Sequence, residues 1–213
     1  MSSIVTPQWS FSLLKEKDVY EPAEDSFLLL DAIEQDLKQL TSTKPNIILE
    51  IGSGSGVIIT ALASVFKTDA FCLAVDINID ACTVTKNTAQ LNNVQVDVIN
   101  ANLLDGVHLR EAIDVIVFNP PYVATESEET LVEGIAQAWA GGENGREILD
   151  RLLPSISKAI SNTGVLYLVA ISYNDVENLI VQMKPYDLKG EIIMRRQIQG
   201  ELLFILKFSK MSK

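Results

Sequence analysis

Phe118-Asn119-Pro120-Pro121-Tyr122 carries the most chemical content in this 213-residue chain. Two adjacent prolines stiffen the backbone and remove two amide donors, which leaves the Pro120 carbonyl free to accept a hydrogen bond. The Asn119 side chain supplies a second acceptor. A planar amide or amino NH2 group can give one hydrogen to each, and the Tyr122 ring can stack on its face. A nitrogen held in this way is aimed at an electrophile, so alignment and electrostatic placement carry the reaction. No strong base is needed beforehand, because the nitrogen loses a proton more easily once the new bond has formed. Asn119, Pro120 and Tyr122 are therefore the candidate catalytic residues. Pro121 and Val123 complete the surface that would meet the substrate. In isolation the same residues also describe an ordinary proline-rich turn capping a strand.

A second constellation is Leu49-Glu50-Ile51-Gly52-Ser53-Gly54-Ser55-Gly56. Glycines allow a tight turn and let a ligand approach the backbone without interference from Cβ. A dinucleotide fingerprint would need glycine at position 57, where Val57 stands. The Gly-x-Gly-x-Gly spacing, with Glu50 two residues upstream, instead resembles motif I of class I methyltransferases. That resemblance implies a loop carrying the methionine half of S-adenosyl-L-methionine, with Glu50, Gly52 and Gly54 as cofactor contacts. Asp76, about one βα unit later, can accept hydrogen bonds from both ribose hydroxyls. Taken singly it could equally cap a helix. Asn102 and Leu103 are the remaining candidates, on the adenine side. Class I enzymes commonly carry Asp at the position of Asn102, whose amide oxygen can still accept the adenine amino group without the charge. Asn119 would border the cofactor as well as the substrate.

The elements that must position these residues can be read from hydrophobic spacing. Leu30, Ile33, Leu37 and Leu40 repeat at helical intervals, so 25–40 is expected to be an amphipathic helix. Strands are expected at 47–51, 71–76, 94–99, 113–118 and 165–171, alternating with helices at 57–66, 81–91, 146–160 and 175–183. Strict alternation implies a parallel sheet covered on both faces. Two last strands, 191–195 and 202–208, are too close together for a crossover and must form an antiparallel hairpin. The expected fold class is thus α/β, with a seven-stranded, mostly parallel sheet, an antiparallel last strand and helices on both faces; the resemblance of the glycine loop implies that this is the class I methyltransferase Rossmann-like fold. Residues 1–19 are expected to be an N-terminal extension and 20–213 a single domain.

Composition narrows the partners. A net charge of −11 argues against autonomous nucleic-acid binding, which needs clustered Lys and Arg. Cys72 and Cys82 form no Cys-x-x-Cys pair, and His108 has no partner at ligand spacing, so no metal site is expected. Two reduced, buried cysteines fit a cytoplasmic or nuclear location. The first residues lack a signal-peptide core and the longest apolar run, 165–171, is too short to span a bilayer, so no membrane association is expected. Glu126, Glu128, Glu129 and Glu133 read as a solvated surface or as an acidic rim for a basic protein segment.

Asn-Pro-Pro-Tyr is common to amide, DNA adenine N6 and RNA guanine N2 methyltransferases, so the substrate must be read elsewhere. Val19-Tyr20-Glu21-Pro22-Ala23-Glu24-Asp25-Ser26-Phe27-Leu28-Leu29-Leu30-Asp31 resembles the N-terminal signature of eukaryotic and archaeal release-factor glutamine methyltransferases. Ala138-Trp139-Ala140-Gly141-Gly142-Glu143-Asn144-Gly145-Arg146-Glu147 is similar to that family's segment after the catalytic turn. Together with Phe118 to Val123, the likeness runs from about Asp18 to the C-terminus. It implies methylation of the glutamine in the Gly-Gly-Gln motif of the class-1 translation termination factor, and leaves histone lysine open as a side activity. The alternative is a nucleic-acid adenine N6-methyltransferase using the same four residues. Ser26 matches the family's hydroxyl residue at the cofactor's amino-acid end, although Asp25 or Ser26 could simply cap a helix. Trp139, Gly141 and Gly142 could shape the substrate entrance, with Trp139 equally able to lie in the core. The resemblance also implies a small zinc-binding activator protein as heterodimer partner and no separate N-terminal helical domain. Strand 94–99, with Val94, Val96 and Val98 alternating along an expected sheet edge, is the expected contact.

Overall fold

The computed structural model describes residues 3–128 and 138–211. Seven strands form one sheet in the order β3-β2-β1-β4-β5-β7-β6, where β1 is Ile47–Ile51, β2 Phe71–Asp76, β3 Asp97–Asn100, β4 Ile113–Phe118, β5 Ile160–Ile171, β6 Leu188–Ile198 and β7 Glu201–Lys210. β1 to β5 pair in parallel; β7 runs antiparallel between β5 and β6. The expected architecture is the one observed.

Alternation along each strand divides the core in two. Ile48, Ala74, Val115, Val117 and Val169 meet α2 (Glu24–Thr43) and α3 (Val57–Phe66) on one face. Leu49, Val75, Ile116, Phe118 and Leu168 meet α5 (Glu147–Ala159) and α6 (Val176–Gln182) on the other. α3 is buried almost all round, as its unbroken apolar sequence requires of a helix wedged between a sheet and its neighbours. α4 (Ile79–Leu91) packs beside β2 and β3.

Residues 3–19 are packed onto this body. Their helix α1 (Phe11–Glu16), absent from the sequence expectation, buries Leu14, and Leu14 and Val19 pack against Ala81 and Val84 of α4. The terminal strands are longer than expected, because the pairing of β5 with β7 and of β7 with β6 continues through residues whose own hydrophobicity gives no signal.

One strand requires correction. The segment expected as 94–99 pairs only over Asp97–Asn100. The Val94 amide bonds to the Ala89 carbonyl and is used up in closing α4, so the chain reaches Leu73 of β2 only at Asp97. β3 is indeed a sheet edge. Val94, Val96 and Val98, however, are half-buried against the core; the outward-facing apolar groups nearby are Ile77, Ile79 and Ile99.

At the far side of the sheet, Lys207 of β7 is buried and ion-paired with Asp36 of α2, whose carboxylate also takes the Tyr167 hydroxyl of β5. Burial and that carboxylate push the Tyr167 phenol upward. Cys72 in β2 and Cys82 in α4 are buried free thiols, and burial raises Cys72 to about 12. Among the described residues, no helix is long and apolar enough to cross a membrane.

Candidate functional site

The C-terminal ends of β1, β2, β3 and β4 open onto a cavity of about 490 Å³. The candidate catalytic, cofactor and substrate residues all line it: Ser26, Glu50, Gly52, Gly54, Asp76, Asn102, Leu103, Asn119, Pro120, Pro121, Tyr122 and Val123, whereas Gly141 and Gly142 do not. This is where an open α/β sheet offers its strand ends to ligands.

Glu50 and Asp76 form the acidic floor. Glu50 Oε2 accepts the Ile59 amide at 3.0 Å in the first turn of α3, a favourable place for negative charge. Burial nonetheless holds its carboxyl well above the ordinary range, and the neighbouring Asp76 pushes the same way. Asp76 is also raised by burial, against the lowering effect of the Gly54 and Asn78 amides, each 2.8 Å from a carboxylate oxygen. Two acids that lose solvation without gaining a cationic side chain suit a ligand that brings its own positive charge and hydroxyl donors. Gly54, at φ +49°, leaves open space where a Cβ would stand, so a ligand can lie directly on the backbone.

Above this floor the Asn119 turn meets the start of α2. Asn119 Nδ2 donates to Asp25 Oδ2 at 3.0 Å, and the Tyr122 hydroxyl donates to the same oxygen at 2.9 Å. Asn119 Oδ1 is buried and has no partner among the described residues. No hydrogen bond from the described residues reaches the Pro120 carbonyl. No group among the described residues therefore occupies either acceptor read from the sequence, and both residues line the cavity. Burial, and then Asp25, raise the Tyr122 phenol and bring Tyr20 to about 12, so both remain protonated donors.

The segment after the described gap buttresses this turn. Val123 and Ala140 form a parallel bridge, with Val123 N to Trp139 O at 3.0 Å and Gly141 N to Val123 O at 2.8 Å. Gly145, at φ +64°, abuts the Tyr122 carbonyl so closely that a Cβ would stand 2.0 Å from that oxygen. Asn174, just past β5, donates to the Tyr122 and Asn144 carbonyls at 3.0 Å and accepts the Ile171 amide at 2.8 Å. Trp139 is 38% exposed and lines the cavity, so it belongs to the rim and not to the core. Gly141 and Gly142 are buried, Gly141 against the Pro121 carbonyl and Gly142 against the Glu147 side chain. Glu126 and Glu128 are exposed; Glu129 and Glu133 lie outside the described residues.

Three features escaped the sequence. Asp25 is a hub and not a helix cap: the N-cap of α2 is Ala23, without a side-chain bond. Arg151 of α5 donates to Asn102 Oδ1 at 3.3 Å, so the oxygen expected for adenine already carries one donor and offers its second lone pair. Glu201, at the start of β7, faces the cavity, and burial raises its carboxyl. Only an arginine one turn into α5 and an acid beside the Gln199-Gly200 turn hinted at the last two, and neither hint specifies a site.

The family described as Methyltransferase small domain matches residues 24–185. Methyltransferase HEMK2 of Homo sapiens is 44% identical over 195 residues, covering 91% of this chain and 90% of the relative. The eRF1 methyltransferase catalytic subunit mtq2 of Schizosaccharomyces pombe is 37% identical, covering 95% and 94%. Among solved structures, the E. cuniculi Mtq2–Trm112 complex responsible for methylation of the eRF1 translation termination factor matches with a TM-score of 0.68 and 28% identity, covering 91% of this chain and 99% of that one. With its glycine loop, acidic floor and Asn-Pro-Pro-Tyr turn around one cavity, the chain belongs to the Methyltransferase small domain family, as a HemK-like class I methyltransferase.

Proposed function

We propose that this chain transfers a methyl group from S-adenosyl-L-methionine to the side-chain nitrogen (N5) of the glutamine in a Gly-Gly-Gln motif of the class-1 translation termination factor. The observation that carries the reading is that, among the described residues, neither the buried Asn119 Oδ1 nor the Pro120 carbonyl of the same turn has a donor. A primary amide brings the two N–H groups that this pair of acceptors requires, and the Tyr122 ring stands beside its plane. The relatives named as eRF1 methyltransferase, and the matching signatures at 19–31 and 138–147, support glutamine as the source of that amide.

The residues fit the cofactor. Glu50 and the Gly52–Gly54 backbone would hold the methionine half together with Ser26, Asp76 the ribose, and Asn102 with Leu103 the adenine edge. When bound, the cofactor supplies an electrophilic methyl carbon on a cationic sulfur. Asn119 and Pro120 hold the amide so that its nitrogen, and not its oxygen, faces that carbon. Held this way, the amide nitrogen would be the atom that accepts the methyl group, and it would then release one proton to solvent. Trp139 and Tyr20 line the same cavity and would shield its acidic floor from water.

We also propose a heterodimer with a small zinc-binding activator at the β3 edge. Support comes from the unpaired backbone of β3 and from exposed Ile77, Ile79 and Ile99 around it. A cytoplasmic or nuclear location accords with the two free thiols.

The test is transfer from labelled cofactor to termination factor in the presence of the activator, with the modified residue mapped by mass spectrometry. Asn119→Ala is expected to lower turnover by at least about 10²-fold while cofactor binding persists. Full activity of that variant, or label that enters nucleic acid and not the Gly-Gly-Gln protein, overturns the reading.

A further inference from the structure

Asp25 is buried, and its carboxylate gathers five donors. Oδ1 takes the Ser26 amide at 2.6 Å and the Ser26 hydroxyl at 3.2 Å. Oδ2 takes Asn119 Nδ2 at 3.0 Å, the Tyr122 hydroxyl at 2.9 Å and the Tyr20 hydroxyl at 3.5 Å. The two ends of an asparagine amide are nearly the same in size and opposite in hydrogen-bonding sense. Sterics therefore do not choose which end of Asn119 faces the cavity. A carboxylate does choose, because it only accepts.

We infer that Asp25 is a positioning residue that sets the polarity of the Asn119 amide: it draws the NH2 end to itself and leaves Oδ1 as the acceptor offered to the substrate. The inference rests on the reading of Asn119 as the group that holds the substrate amide. It assigns Asp25 a role that helix capping does not, and couples the first turn of α2 to a turn 94 residues away.

Asp25→Asn makes a sharp test because the five donors differ in whether they can reverse. The phenol hydroxyls of Tyr20 and Tyr122 can rotate and accept. The Ser26 backbone amide, fixed in the first turn of the helix, cannot. The new amide must therefore place its oxygen toward Ser26 and its NH2 where Oδ2 was. Facing that NH2, Asn119 gains by turning its own oxygen inward and its NH2 toward the cavity. The substrate amide then meets a donor where it needs an acceptor.

The assay uses the full chain with its activator, termination factor as substrate and wild type as control. Asp25→Asn is expected to lower kcat by at least about 10²-fold, the size of losing one directed catalytic hydrogen bond, with cofactor affinity retained by calorimetry. Pairing it with Asn119→Asp gives residue 119 one carboxylate oxygen to face the new NH2 and a second to face the cavity. The double variant is expected to exceed the Asp25→Asn single by at least about tenfold, as directly bonded partners couple. Loss of activity through misfolding gives no such rescue, so a double variant no better than the single overturns the inference. A cofactor-free readout is the exchange of the Asn119 NH2 protons with water by NMR, assigned from the Asn119→Asp spectrum. They are expected to be protected in wild type and exposed in Asp25→Asn; wild-type exchange as fast as that of a surface asparagine overturns the inference. An inactive wild type refutes the glutamine reading alone, and an Asp25→Asn variant as active as wild type refutes the Asp25 role alone.

Discussion

Gly145→Ala separates backbone strain from displacement of the catalytic turn. Gly145 has φ +64°, and an added Cβ would lie 2.0 Å from the Tyr122 carbonyl oxygen and 2.7 Å from Asn174 Nδ2. The left-handed conformation alone costs an alanine about 1 kcal/mol. Real Cβ atoms essentially never approach below 3.0 Å, and the obstacle is backbone oxygen, so Tyr122 or Gly145 must move by about 1 Å. Displacements of that order in a positioned group cost about 10² in rate, so kcat on termination factor is expected to fall about 100-fold. Cofactor affinity should change little, because Glu50, Gly54 and Asp76 lie on other strand ends. The control is Gly106→Ala, at φ +77° with nothing within 4 Å of the new carbon: the same backbone penalty with no collision. Kinetics, isothermal calorimetry and thermal melting on both variants decide the matter. Equal kcat losses in the two, or wild-type kcat in Gly145→Ala, would refute the argument that contact with Tyr122 holds the site in register.

The floor and the far side of the sheet yield two further predictions. Glu50→Gln should raise the thermal midpoint of the cofactor-free protein near neutral pH and weaken cofactor binding, because burial raises this carboxyl in the fold. With the folded value above the unfolded one, the native state holds more protons between the two; wild-type stability therefore falls as pH rises above the ordinary carboxylate range, a slope the variant should lose in melts across that range. Lys207→Met should cost about 3 kcal/mol in urea unfolding, since it leaves Asp36 partly buried without its cation. An unchanged urea midpoint would mean that solvent already neutralises Asp36.

The positions of the candidate catalytic and cofactor residues were legible because most of them lie at or just beyond the end of a periodic apolar run. Asn119 follows β4, Asp76 closes β2 and Glu50 lies in β1, so alternation of strand and helix alone brings them to one rim. What could not be read depends on contacts between distant segments. The bond from Asp25 to Asn119 spans 94 residues, and that from Arg151 to Asn102 spans 49. In the sequence Asp25 looks like any acid in a helix's first turn. The early start assigned to β3 has the same origin. Alternating valines report which side is buried and not where backbone pairing begins, and Val94 and Val96 are half-buried against the core without pairing. Helix α1 was invisible because its six residues bury only Leu14, too short a pattern to register as periodic.

The place of β7 between β5 and β6 bears on how the protein is made. On the ribosome, β1 to β5 emerge in an order that lets each find its parallel neighbour, and the sheet can grow outward as synthesis proceeds. β6 then appears before the strand that joins it to the sheet. Until β7 leaves the exit tunnel, β5 presents an unpaired edge over the seven residues Val165 to Ile171. A long apolar edge of this kind recruits strands from other chains. The interval between residue 171 and residue 210 is thus the period in which nascent chains most need a chaperone, and slowing translation there should raise the fraction that aggregates.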